Sequence, residues 1–173
     1  LYKKSYLVTS FWFLLSILIK PTSVVFLPLF GVLLYKKFGW KNSLITLFIC
    51  NLIFWFSFLP FYKNGDLWLF PYLTYFRDIL MAQSLPDVTN GALNFWVLVT
   101  QFKGIVDTTP YLLWIPYRYW GYLIVGLLNL FVIRYVLKSK EKVLPVFYGF
   151  FFVSFLAFLF LTKMHERYTL LPL

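Results

Sequence analysis

The sequence is poor in nearly everything a water-soluble domain needs. Only 13% of its 173 residues are charged, against roughly 25% in globular proteins. Hydrophobic residues make up 61% and aromatic residues 24%, which excludes a soluble domain. Acidic residues are scarcest, six against sixteen Lys and Arg, for a net charge of +10. Such an excess can signal nucleic-acid binding. Here the basic residues cluster between apolar runs, where the positive-inside rule accounts for them, so no nucleic-acid partner is expected. The single cysteine, Cys50, lies inside an apolar run. It cannot form an intrachain disulfide and says nothing about compartment. The single histidine, His165, has only Glu166 beside it, without the two-turn spacing of helical metal ligands. A divalent metal is therefore allowed but unsupported, and no cofactor is identified. No Ser or Cys stands beside a base in a nucleophilic arrangement. The chain begins at Leu1 rather than Met, has no signal-peptide pattern, and stops at Leu170-Leu171-Pro172-Leu173. The expectation is an internal piece of a longer protein.

What the sequence does have is apolar runs of spanning length. Ser5 to Tyr35 is a 31-residue stretch broken only by Lys20-Pro21, too long for one span of roughly 20 residues. Pro21 disfavours helix at Lys20 and suits the first turn of a new one. Ser43–Phe61, Tyr119–Leu137 and Leu144–Thr162 follow, each of 19 residues. These runs predict an all-α fold, a polytopic transmembrane bundle of about five spans at 1–19, 21–35, 43–61, 119–137 and 144–162. The whole chain, 1–173, reads as a single membrane domain.

Charge sets the predicted sidedness. Lys3, Lys4, Lys36, Lys37, Lys41, Arg134, Lys138, Lys140 and Lys142 share one side with a single acid, Glu141. The other side holds seven cations and five acids. The strongly basic side is expected to be cytoplasmic. That puts the Lys20-Pro21 turn, the segment 62–118 and the residues after Thr162 on the extracytoplasmic face.

Segment 62–118 is too long for a structureless connection and too apolar for a linker. Leu67 to Phe76 is rich in aromatic residues, as in segments lying among lipid headgroups. Asn90-Gly91 signals a turn, and Ala92 to Val99 is too short to cross. Two or three short interfacial or re-entrant helices are expected, and re-entrant backbone needs protein cover or a wet cavity. Asp87, Asn90, Asn94, Trp96, Gln101 and Lys103 form an inventory that suits carbohydrate, with amides for hydroxyls and a Trp face for a sugar ring. Asn90, Asn94 and Trp96 are the candidate sugar contacts. The bland alternative is an interfacial aromatic belt.

After the last apolar run come Lys163, His165, Glu166 and Arg167, four ionisable groups in five positions, followed by Tyr168. Charges at membrane depth are costly and point to function; the bland alternative is an interfacial anchor. On a continuing helix only Lys163 and Arg167 would share a face. Convergence on one ligand therefore needs the helix to end near Thr162. Two cations and an imidazole at a membrane boundary suit a lipid-borne phosphate, which arginine grips through paired hydrogen bonds. Lys20, on the same predicted side, is a further cation for it. Glu166 would orient Arg167 or His165, with Tyr168 in support.

Lys163-Met-His-Glu-Arg-Tyr168, followed by Leu170-Leu171-Pro172, resembles the C-terminal motif of bacterial mannosyltransferase-like proteins related to the enzyme that adds the second mannose of GPI anchors. These belong to the GT-C class of glycosyltransferases that use polyprenyl-phosphate sugars. Ile19-Lys20-Pro21 is similar to that family's Lys-Pro-Gln segment, with Thr22 in place of Gln. Asn90-Gly-Ala-Leu-Asn94-Phe-Trp96 is similar to its external Asn-x-x-Asn-x-Trp stretch. The resemblance implies an integral membrane enzyme of a bacterial or archaeal cell membrane. It would move a sugar from a polyprenyl-phosphate donor to a glycan or lipid acceptor on the outer face. It also implies a catalytic carboxylate in a first external loop upstream of these residues, so that the piece alone would be inactive. A lipid-linked sugar transporter or flippase, or an O-antigen-polymerase-like protein, would use the same cations differently.

Overall fold

The computed structural model describes residues 6–80, 86–139 and 143–165. The chain forms two compact units, Leu1–Gln83 and Ser84–Leu173.

In the first unit, helix α1 (Tyr6–Ile19) ends at Lys20 in extended conformation, and Pro21 opens a 3-10 turn, Pro21–Phe26. Proline supplies the fixed φ and lacks only an N–H that a first turn leaves unpaired anyway. Helix α2 (Leu27–Phe58) follows and is broken at Gly39, whose φ of 79° and ψ of 170° are not helical. Glycine tolerates that conformation because it has no Cβ. Residues on both sides of the break, from Leu27 to Tyr35 and from Trp40 to Cys50, line one cavity with α1. The helix therefore folds back at Gly39. The carbonyls freed there are met locally: Asn42 Nδ2 donates to Phe38 O (2.9 Å) and Ser43 Oγ to Gly39 O (2.8 Å). The break falls between the predicted spans 21–35 and 43–61. A short helix, α3 (Phe70–Leu73), continues into a π-helical turn over Thr74–Leu80. Its Tyr75 packs with Ile17 and Phe58.

The second unit is built on helices α5 (Tyr117–Lys138) and α6 (Leu144–Phe160). Gly121 and Val125 of α5, and Gly149, Val153 and Ala157 of α6, are buried at four-residue spacing. Small residues in such rows let apolar helices approach closely. Before α5 lie strand β1 (Thr89–Asn90) and helix α4 (Phe95–Thr100), and after α6 comes strand β2 (Met164–His165).

Among the described residues, two stretches are long and apolar enough to cross a membrane, Pro21–Phe61 with 41 residues and Tyr117–Lys138 with 22. The count of five is not reproduced. The spans predicted at 21–35 and 43–61 fall on the two arms that the Gly39 break separates. Helix α6, of 17 residues, reaches about 26 Å at 1.5 Å per residue, short of the roughly 30 Å hydrocarbon core; α1 is described over 14 residues, from Tyr6 on.

Candidate functional site

The site is assembled where α6 ends. The last carbonyls of a helix lack intrahelical partners and must find them elsewhere. Trp96 Nε1 donates to Phe160 O at 2.7 Å, while Asn94 Nδ2 donates to Phe158 O (3.5 Å) and Leu161 O (3.4 Å). The same Asn94 caps α4, its Oδ1 accepting the Trp96 N–H at 3.1 Å. One amide thus joins the start of α4 to the end of α6. Gly121 lets α5 approach this end: a Cβ there would stand 2.6 Å from Phe160 O.

Past the cap the chain leaves the helix. Lys163 adopts a φ of 60°, a left-handed conformation that costs a β-carbon residue about 1–2 kcal/mol. Its N–H donates to Val88 O (2.9 Å). Met164 and His165 then pair in parallel with Thr89 and Asn90. On its other side this segment is tied to residues 105–107: Val88 N–H donates to Ile105 O (2.8 Å) and Asp107 N–H to Pro86 O (3.0 Å). Val88 therefore spends its N–H on one neighbour and its C=O on the other.

That ribbon delivers a buried carboxylate. Asp107 is 3% exposed, and its Oδ2 lies 3.9 Å from Lys163 Nζ and accepts from Thr162 Oγ1 at 3.4 Å. The ion pair is long, yet both side chains are largely withdrawn from water, where charge attraction is screened least. Arg118, at the start of α5, donates its N–H to Asp107 O (3.2 Å). Its Nε is buried with no hydrogen-bond partner among the described residues. Arg118 is one turn from Gly121, hence on the face that meets Phe160–Thr162.

The predicted residues fare differently. Helix α6 ends at Phe160, two residues before the expected end near Thr162, so the non-helical exit that convergence requires is present. Lys163 is placed at the site, already paired. His165 is placed by its backbone in β2. Glu166, Arg167 and Tyr168 lie outside the described residues. Asn90 is half-buried in β1. Asn94 and Trp96 are 5% and 1% exposed. In this conformation Trp96 offers no ring face to a sugar, and Asn94 spends its amide on helix ends. Lys20 belongs to the first unit, is exposed, and forms no ion pair among the described residues. Its turn is held by Tyr75, whose hydroxyl donates to Pro21 O at 3.2 Å. Burial pushes the Tyr75 phenol up to about 12, so it stays a donor at neutral pH.

Sequence reasoning missed Asp107, Thr162 and Arg118. Asp107 stands 56 positions from Lys163, in a stretch marked only by the Thr108-Thr109-Pro110 turn signal. The chain matches no protein-family model, no curated protein and no solved structure. Its function rests on the chemistry of the site.

Proposed function

We propose that this chain is the phosphate-binding part of an integral membrane glycosyltransferase that takes a sugar from a polyprenyl-phosphate donor on the extracytoplasmic face. The observation that carries the reading is the exit from α6. Immediately after an apolar helix, the cationic segment leaves helical geometry and is held by a remote cap and a strand pairing. Lys163, fixed in this way, presents its charge at a constant place, as recognition of a phosphate leaving group requires. Asp107 faces Lys163 at 3.9 Å. A phosphate would share that lysine with Asp107 or displace the carboxylate, while His165 and Arg167 supply the remaining donors. Activation of the acceptor hydroxyl is assigned to a carboxylate outside this set. Lys20 is a further cation in the proposal, on the strength of predicted sidedness.

The test is sugar transfer from polyprenyl-phosphate mannose in membranes carrying the protein expressed from its whole reading frame. Arg167→Ala and His165→Ala are each expected to abolish transfer with the protein still present at normal level. Full activity in both variants would reduce the segment to a membrane anchor. Retained donor binding with no transfer in the unmutated protein would favour the transporter reading instead.

A further inference from the structure

Hydroxyl groups on the helices of this chain are mostly satisfied one turn away. Ser16 donates to Phe13 O, Ser43 to Gly39 O, Thr46 to Asn42 O, Ser57 to Ile53 O and Ser154 to Phe150 O. Ser10 departs from this pattern. It is 2% exposed, and its Oγ has no hydrogen-bond partner among the described residues. A hydroxyl removed from water without a partner is costly. Ser10 is among the residues that line a cavity of about 360 Å3, the lower end of the range for small-molecule pockets.

The cavity lies in the first unit between α1 and the two arms of α2, with Leu14, Ile17, Phe30 and Leu47 among its walls. Gly31 also lines it, and a Cβ added there would meet nothing within 4 Å. The space beside Gly31 is open. Tyr6, at the start of α1, meets Phe38 edge to face with ring centroids 5.8 Å apart, directly beside the Gly39 break. Ser10 is one turn further along α1, so its hydroxyl lies about 6 Å deeper than that contact. The break itself carries Lys36, Lys37 and Lys41, all exposed.

From the break inward the order is therefore cations, one unpartnered hydroxyl, and an apolar chamber. A glycerophospholipid presents the complementary order: phosphate, ester carbonyl, acyl chain. We propose that this cavity binds one anionic glycerophospholipid, with its phosphate against Lys37 and Lys41, an ester carbonyl accepting from Ser10 Oγ, and one acyl chain in the chamber. Charge complementarity selects the anionic headgroup, because basic residues beside a membrane attract acidic lipids. The site is separate from the α6 exit and does not depend on the sugar-transfer reading.

The test is native mass spectrometry of the whole protein released from detergent. It is titrated with phosphatidylglycerol or phosphatidylcholine of identical chains, with glycerol phosphate as a headgroup-only competitor. One phosphatidylglycerol should be retained in preference to phosphatidylcholine by roughly tenfold, since each lysine near an anionic headgroup contributes about fivefold at best. The double variant Lys37→Gln/Lys41→Gln should erase that preference. Ser10→Ala should keep the preference but weaken retention of both lipids. Gly31→Phe, which fills the chamber, should lose both lipids with its helical circular dichroism intact; if that variant does not fold, the lysine and serine variants still decide. Equal retention of the two lipids, or retention unchanged in the lysine and serine variants, would mean annular lipid only and overturn the proposal. Competition by glycerol phosphate as strong as by whole lipid would remove the acyl-chain part and overturn it as well.

Discussion

The break in α2 at Gly39 and the end of α6 at Phe160 pose the same problem, carbonyls without intrahelical partners, and are solved from very different distances. At Gly39 the donors are Asn42 and Ser43, each four residues on. At Phe160 they are Trp96 and Asn94, 64 residues or more away in sequence. A locally repaired break can form as soon as its own turn forms. A remotely repaired end exists only when the surrounding unit has folded, so it reports on tertiary structure, and the segment it holds inherits that dependence.

Substitutions at the two places should separate accordingly. The largest effect is expected at Trp96, buried and bonded to Phe160 O. Trp96→Ala should cost about 3–5 kcal/mol and Trp96→Phe about 1 kcal/mol for the lost indole donor, measured by denaturant unfolding in micelles. Next comes Gly121→Ala, whose new methyl meets a backbone oxygen rather than a flexible side chain. A loss of about 1–3 kcal/mol is expected; if stability is unchanged, the close approach of α5 to α6 is not part of the folded unit. At the local break, Gly39→Ala should cost about 1–3 kcal/mol, because the space around it is open and the penalty is that of the backbone alone, in a φ/ψ region essentially confined to glycine. The smallest and most diagnostic pair is Lys163→Gly against Lys163→Ala. Both remove the charge facing Asp107, but only glycine relieves the backbone. The glycine variant should therefore be the more stable by about 1 kcal/mol. Equal stability would show that Lys163 is not held in that conformation.

The same contrast explains what could be read in advance. The helical segments followed from apolar runs. Leu144–Thr162 became Leu144–Phe160, Tyr119–Leu137 became Tyr117–Lys138, and the lysine-rich interval between 35 and 43 contains the Gly39 break. Lys20-Pro21 marked the end of α1 because proline acts on its immediate neighbour. Asn94 and Trp96 stood out as polar and aromatic groups in an otherwise apolar stretch, but their role was hidden. The atoms they bind are backbone carbonyls, which every residue carries, so no sequence signal names the partner. Asp107 was hidden for a related reason. Its pairing with Lys163 depends on the ribbon that sets residues 105–107 and 163–165 on either side of Val88, and that ribbon rests on backbone bonds. The predicted division between 35 and 43 coincides with the Gly39 break, while the count of about five spans is not confirmed, because apolar length alone does not say how many helical arms cross a membrane.

The capping arrangement has a consequence for synthesis. Asn94 and Trp96 leave the ribosome more than sixty residues before the carbonyls they serve. Through that interval the cap waits without the helix it will close, its indole and amide donors turned to water or to lipid headgroups. Once α6 is made, its end can meet Trp96 and Asn94, and Met164 and His165 can pair with Thr89 and Asn90. Nascent chains halted before Phe160 should therefore leave Trp96 accessible to quenchers, and those halted beyond His165 should protect it.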